Sequence, residues 1–368
     1  MRLLVDAHCF DYPTSEGINT YLKGLYSELP RIAPEVDFYF AARDIAKLQN
    51  IFGSAANVHY VKLAASSKVG RLLTEIPGII RRYRIDYAHF QYTAPLIKNC
   101  KTIVTLHDIL FKDYPKMFPL SYRLSRGWLF KDSAKRADLL LTVSDYSRNR
   151  IAEHYGIPRE KIFVTPNAVS EDFFHIDAER ASSFAKKNGL GNYILYVSRI
   201  EPRKNQAALL RAYHGLRLDT KGYDLIFIGR KTLPVPDFDN LLASLPDTEK
   251  QHIRIYNQVG YEELKLWYKA ASLFVYPALA EGFGIPPIEA GAAGVPCICS
   301  NRTAMGDFMF FGKNLIDAAN PEILQSAIAA NLSAPAVDTC KIRSAIHSTY
   351  NWKSIAEKFH NRLKTASI

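Results

Sequence analysis

The sequence predicts two α/β domains, each built on a parallel sheet, and three observations predict it. The chain has 368 residues, which at about 150 residues per domain is enough for two separate cores. Short β-rich runs alternate with helical patterns, as they do in βαβ units. That alternation pauses at a stretch ending in Gly189-Leu190-Gly191-Asn192 and then starts again.

In the first half LLVDAH, VDFYFAA, YAHFQY, TIVTLHD, LLLTVS and KIFVTPNAV read as strands. Several lack polar alternation, as expected of strands covered on both faces. YILYVSR, DLIFIGR, IRIYNQ, SLFVYPA and VPCICS form the second series. The boundary is expected near residues 172–191, giving domains of 1–172 and 191–350. From Pro321 onward the pattern is helical, and Trp352, Ile355, Ala356 and Phe359 form one apolar stripe on the last helix, which must pack on something.

Composition narrows the class. Hydrophobic residues are 48% and charged residues 23%, with 19 Gly and 19 Pro, values that exclude a fibrous or low-complexity chain. No segment reaches the roughly 18 consecutive apolar residues of a membrane span, and MRLLVDAHCF does not read as a signal peptide. The expectation is a cytoplasmic protein beginning at Met1. The five cysteines are scattered, and Cys297/Cys299 lacks a second pair to complete a zinc site. Buried, reduced thiols and no bound metal are expected.

The net charge is +11, and residues 51–136 hold 15 Lys and Arg against 5 Asp and Glu. Arg123, Arg126, Lys131, Lys135 and Arg136 interleave with Tyr122, Trp128 and Phe130. Such a surface suits an anionic membrane or a nucleic acid, and equally a plain solvated basic face.

Ligands of open α/β sheets bind beyond the carboxyl ends of the strands, so the residues after each strand matter most. After SLFVYPA comes Glu281-Gly282-Phe283-Gly284-Ile285-Pro286-Pro287-Ile288-Glu289. The glycines allow a tight turn and the prolines suit the first turn of a helix, whose N-terminus is a natural diphosphate site. Carboxylates accept hydroxyl groups, so Glu281 and Glu289 point to a sugar and a ribose. The plainer reading is a solvated Glu and a capping Glu.

After YILYV comes Ser198-Arg199-Ile200-Glu201-Pro202-Arg203-Lys204-Asn205. Arg199 and Lys204 bracket a turn from which cations can reach a diphosphate, whereas Arg203 reads as surface. Thr105-Leu106-His107-Asp108 ends a first-domain strand, and Glu16-Gly17-Ile18-Asn19-Thr20-Tyr21 opens a helix with a single glycine. There is no G-x-G-x-x-G after a strand, no G-x-x-x-x-G-K-[ST], no G-x-S-x-G and no H-E-x-x-H, which disfavours dehydrogenases, P-loop NTPases, serine hydrolases and zincins.

E-G-F-G-I-P-P-I-E, S-R-I-E-P-R-K-N and P-N-A-V together resemble the retaining glycosyltransferases of family four, most strongly from Tyr193 to Ser300. The resemblance implies the GT-B fold, two Rossmann-like domains whose parallel sheets face a central cleft, with the C-terminal helix, about 351–368, packed back on the first domain. It implies a hexose-type transfer from a nucleoside-diphosphate sugar to a glycan or lipid-linked glycan in cell-surface polysaccharide biosynthesis. The donor sugar stays open among mannose, glucose, rhamnose and N-acetylglucosamine.

Carried over by residue, Arg199 and Lys204 neutralise the donor diphosphate, and Glu289 holds the ribose. Glu281 contacts the transferred sugar, with Gly282, Phe283, Gly284 and Ile285 around it. Gly229, Arg230 and Val259 fall where the base lodges. His107 has a catalytic or orienting role, and Asp108 and Gly17 serve the acceptor or the first-domain loop. No cofactor, metal or nucleic acid is implied, and the basic first-domain surface would touch the inner face of the membrane.

Three departures stand out: Gly17-Ile18-Asn19 where the family shows G-I-G-R, Ser198 for a Gly, and Ala168 for the Gly of P-N-G, where a positive φ would be strained. The altered glycine loop motivates an alternative, a non-catalytic nucleotide-sugar-binding partner of another transferase.

Overall fold

The computed structural model describes residues 1–12, 16–334 and 338–367. The chain forms two compact units, Met1–Ala168 with Asn351–Ile368, and Val169–Tyr350.

The first unit carries a seven-stranded sheet in the order β3-β2-β1-β4-β5-β6-β7. Its strands are β1 Arg2–Asp6, β2 Asp37–Ala42, β3 Val58–Lys62, β4 Tyr87–Gln91, β5 Lys101–Leu106, β6 Leu139–Thr142 and β7 Ile162–Val164. Every described pairing is parallel. β4 and β6 are buried at every position, which is why YAHFQ and LLLT show no polar alternation. The sequence patterns missed β3, an edge strand whose VHYVK mixes exposed and buried positions.

The second unit has a six-stranded parallel sheet in the order β10-β9-β8-β11-β12-β13. Its strands are β8 Asn192–Val197, β9 Tyr223–Ile228, β10 Ile253–Tyr256, β11 Leu273–Tyr276, β12 Cys297–Ser300 and β13 Leu315–Ile316. β13 has two residues, too few for a periodic signal.

Residues 172–191 differ from their reading as a boundary, because they belong to the second unit. Phe173 and Phe174 are buried there. The helix Ala178–Lys187, capped by Asp177 on the Glu179 and Arg180 amides, packs on the helix Tyr261–Ala270. The apolar burial of Phe173 and Phe174 outweighs the linker-like composition around them.

The helix Trp352–Ser367 belongs to the first unit and packs along the helix Glu16–Ile32. Trp352, Ile355, Ala356 and Phe359 are buried. Gly24 makes room for the Trp352 ring: a Cβ there would come within 2.0 Å of the indole.

Cys9, Cys297 and Cys299 are buried free thiols, but Cys100 is partly buried and Cys340 exposed, so uniform burial does not hold. Ala168 is not among the residues with positive φ, so alanine carries no backbone strain there. No helix among the described residues is long and apolar enough to cross a membrane.

Candidate active site

β8 delivers Ser198 and Arg199 at its carboxyl end, and β9 delivers Gly229 beside them. Gly229 has φ +148°, and a Cβ there would lie 1.9 Å from the Ser198 carbonyl oxygen. Only glycine lets these strand ends approach so closely. The Ile200 N–H then donates to the Arg230 carbonyl at 2.8 Å, which locks the turn carrying Arg199.

From that turn runs a chain of alternating charges. Arg199 lies 3.6 Å from Glu201, Glu201 2.6 Å from Arg203, and Arg203 3.0 Å from Glu281, which in turn pairs with Lys204. Arg203 also donates to the Ala280 carbonyl at 3.0 Å. Its side chain is only 12% exposed, so its reading as surface is wrong: two buried carboxylates hold it inward. Arg199, at the outer end, is 40% exposed.

Glu281 sits under three donors. Oε1 accepts from Lys204 and from the Tyr276 hydroxyl at 2.8 Å, and Oε2 accepts from Arg203. Burial alone would raise its pKa, but Lys204 and Arg203 outweigh burial and hold it down to about 2. Burial, with Arg203, lowers Lys204 to about 8, still ionised at neutral pH. The Lys204 ammonium has three N–H donors. Two are directed at Glu281 and the Tyr276 hydroxyl, 3.0 Å away, which leaves one for an anion.

The loop after Glu281 is equally constrained. Its N–H donates to Thr303 Oγ1 at 2.9 Å, and Thr303 itself has φ +56°. Gly284, at φ +105°, caps the helix Ile285–Ala292, and a Cβ on it would lie 2.9 Å from Met305. Pro286 and Pro287 carry no N–H, so this helix end can offer only the amides of Phe283, Gly284 and Ile285. The amides this helix end presents are therefore fewer, and more localised, than a generic helix N-terminus provides. Phe283 is buried in an aromatic cluster, with Phe308 and Tyr350 rings 5.5 and 5.4 Å away.

Glu289, one turn further along that helix, accepts from the Tyr268 hydroxyl at 2.9 Å. Burial pushes its pKa up to about 7, although the Tyr268 hydrogen bond opposes the rise. Val259 is half-buried just before Gly260, which starts the helix Tyr261–Ala270.

His107, Asp108 and Gly17 lie in the other unit. The His107 Nε2–H donates to Gln91 Oε1 at 2.7 Å, and the Gln91 amide continues the chain to His89 at 3.2 Å. Burial lowers the pKa of His107 to about 3, so its imidazole is neutral at physiological pH and serves as a fixed hydrogen-bonding group. Asp108 Oδ1 accepts the Leu110 N–H at 3.1 Å. Gly17 is the second residue of its helix, with open space where a Cβ would be. Residues 13–15, just before it, lie outside the described residues.

Sequence reasoning overlooked Glu201 and Tyr276 and misplaced Arg203. Glu201 and Arg203 stand inside the quoted E-P-R-K run, but their burial is set by Glu281, distant along the chain. Tyr276 reads as an ordinary strand residue, with nothing to mark it.

Residues 15–173 match the family described as glycosyltransferase family 4, and residues 177–345 the family described as glycosyl transferases group 1. The O-antigen chain mannosyltransferase B of Escherichia coli is 31% identical over 359 residues, covering 89% of this chain and 90% of that protein. The O-antigen chain mannosyltransferase RfbU of Salmonella typhimurium is 31% identical over 237 residues, 64% of this chain and 62% of the relative. Among solved structures, sucrose-phosphate synthase of Thermosynechococcus elongatus superposes with a TM-score of 0.77 at 16% identity, covering 99% of this chain and 98% of that one. Anabaena HepE in complex with UDP-glucose gives 0.74 at 14% identity, covering 99% and 100%. These likenesses establish the GT-B fold, and with the sequence matches along both units they make the chain a member of glycosyltransferase family four, the glycosyl transferases group 1.

Proposed function

We propose that this protein transfers mannose from a nucleoside-diphosphate mannose to a glycan or lipid-linked glycan during cell-surface polysaccharide synthesis, with retention at the anomeric carbon and without a metal ion. The O-antigen mannosyltransferase relatives support the sugar. A further relative, from Mycolicibacterium smegmatis and 27% identical over 54% of this chain, is described as GDP-mannose-dependent, which favours guanine as the base.

The observation that carries the reading is the charge chain ending at Glu281 and Lys204. Departure of a nucleoside diphosphate builds negative charge on its β-phosphate. Lys204, Arg199 and the Phe283–Ile285 amides are fixed charges and dipoles that stabilise it most in the transition state. They supply the positive charge a divalent ion would otherwise bring. Glu281, neutralised by two cations, is a weak nucleophile but a good acceptor for sugar hydroxyls, which favours front-face attack through an oxocarbenium-like ion pair over a covalent intermediate. Glu289 accepts the ribose hydroxyls, and Gly229, Arg230 and Val259 border the base. In the first unit His107, held neutral by burial, orients the sugar, and Gly17 and Asp108 border the acceptor.

The exposed face of the helix Leu120–Arg136 supports contact with a membrane from the cytoplasmic side. Leu120, Leu124 and Trp128 recur every four residues and are each at least 61% exposed, and Lys131 and Lys135 continue the line, also exposed. Apolar side chains flanked by lysines suit an anionic lipid surface. Phe130, read with them from the sequence, is instead buried.

The test is transfer from radiolabelled GDP-mannose to glycan acceptors in the presence of EDTA, with the product anomer read by NMR. Retention with EDTA present supports the reading. Inversion, or activity only with a divalent ion, overturns its mechanism, and no use of any mannose donor overturns its substrate.

A further inference from the structure

The first unit contains a cavity of about 550 Å³ that the donor chemistry does not use. Its wall includes Arg43, Lys68, Arg71 and Arg126, with Asp11 as the carboxylate on the lining and Asp6 buried beneath. Arg71 is buried and pairs with Asp6 at 3.0 Å, and Arg43 lies 3.6 Å from Asp11. Those two cations are matched. Lys68 and Arg126 are not: among the described residues neither pairs with a carboxylate. The Lys68 ammonium reaches Thr93 Oγ1 at 3.2 Å, and Arg126 leans over the Tyr122 and Phe130 rings. Desolvation, then the nearby Arg126 and Arg71, push the Lys68 pKa down to about 8. Like charges crowded in a cavity with too few carboxylates make a site that gains from an anion.

The backbone at the cavity is held in an unusual state. Tyr92 has φ +64°, costly for a bulky side chain. Its N–H donates to the Thr105 carbonyl at 2.9 Å, and its ring stacks on Phe130 at 4.6 Å. This conformation sets Gln91, Tyr92 and Thr93 in a row along the cavity wall. Gln91 is also the partner of His107, so the cavity and the His107 imidazole share one hydrogen-bonded wall. Tyr122, Arg126 and Phe130 line the cavity from the helix whose opposite side bears Leu120, Leu124 and Trp128.

We infer that this cavity binds a phosphate or diphosphate group carried by the acceptor, through Lys68 and Arg126 with Arg71 behind them. The inference rests on the transferase reading and deepens it: the acceptor would be a phosphate- or diphosphate-linked glycan rather than a neutral one.

The test uses the full chain, with inorganic pyrophosphate and GDP as probes in separate calorimetric titrations of wild type, Lys68→Gln/Arg126→Gln and Lys204→Ala. Pyrophosphate can also occupy the donor site, so it is titrated with GDP saturating: the double variant should weaken the pyrophosphate site that persists under GDP at least tenfold and leave GDP itself within about twofold, while Lys204→Ala weakens GDP and leaves that pyrophosphate site. A Lys68→Arg/Arg126→Lys variant should keep pyrophosphate affinity, because it keeps both charges. If the double Gln variant does not fold, Arg126→Gln alone should show the same selectivity with a smaller loss. Failure of wild type to bind pyrophosphate would overturn the proposal, and so would its loss in Lys204→Ala alone, since the anion would then belong to the donor site. Absence of GDP binding with pyrophosphate binding still lost in the double variant would sink the donor reading and uphold the anion site.

Discussion

Arg203 Nη1 lies 3.0 Å from Glu281 Oε2, and this contact joins two loops that are 78 residues apart in sequence. Arg203 also holds Glu201 at 2.6 Å. Removing it leaves two buried carboxylates short of a cation, and breaking a buried pair this way costs about 3 kcal/mol or more. Arg203→Ala should therefore lower the melting temperature by several degrees and abolish transfer, whereas a surface arginine would change neither. Thermal unfolding and a transfer assay on the same sample check this.

Glu289 gives the candidate site a pH dependence with a definite sign. Its carboxyl titrates near 4.5 when unfolded and about 7 in the fold, so the folded protein keeps a proton that the unfolded chain has released. Stability from the neutral carboxyl is full below about pH 4.5 and falls as the pH rises to about 7. Glu289→Gln should flatten that slope in denaturant titrations. The ionised carboxylate is also the better acceptor for ribose hydroxyls, so the KM for the donor should fall as pH rises through about 7 in wild type and stay level in the variant.

His107, lowered to about 3 by burial, should contribute no limb to the pH–rate profile between about 5 and 9. Gln91→Leu removes the acceptor for its Nε2–H and the donor to His89. A buried polar group left unsatisfied costs about 1–3 kcal/mol, so stability should fall by that order. A limb near 6.5 that depends on His107 would instead make it a proton-transfer group.

Two glycines should respond in opposite ways. Gly229→Ala drives a Cβ into the Ser198 carbonyl and displaces the turn bearing Arg199, so donor binding and folding should both suffer. Gly17→Ala meets open space in a helix and should raise stability by roughly 0.5 kcal/mol. If transfer falls while stability rises, Gly17 serves a ligand's close approach rather than the fold. Melting curves and kinetics on both variants separate these outcomes.

Much of this architecture was legible because buried parallel strands leave runs such as LLLT and LFVY that nothing else explains. The missed strands had little to show: VHYVK lies at a sheet edge and β13 has two residues. The turn and helix start after Glu281 were legible too, since E-G-F-G-I-P-P-I-E combines glycines for a tight turn with prolines for a helix start. Local sequence could not reveal that Arg203 turns inward, because its direction is set by Glu281, distant along the chain. The burial of Phe173 and Phe174 was hidden for the same reason, as it depends on contacts from remote helices. The cavity around Lys68 and Arg126 was equally out of reach, since β1, β4 and the helix Leu120–Arg136 meet there only in the fold.

If the charge chain ending at Lys204 and Glu281 binds the donor diphosphate, as proposed, Lys204 carries a charge that the donor needs. Calorimetric titration of GDP-mannose into wild type and Lys204→Ala, with EDTA present and folding verified by melting, checks this. Loss of one charge-assisted contact of about 2 kcal/mol corresponds to roughly 30-fold weaker binding, and that loss without a metal is the predicted result. Equal affinity in the two proteins would contradict the account.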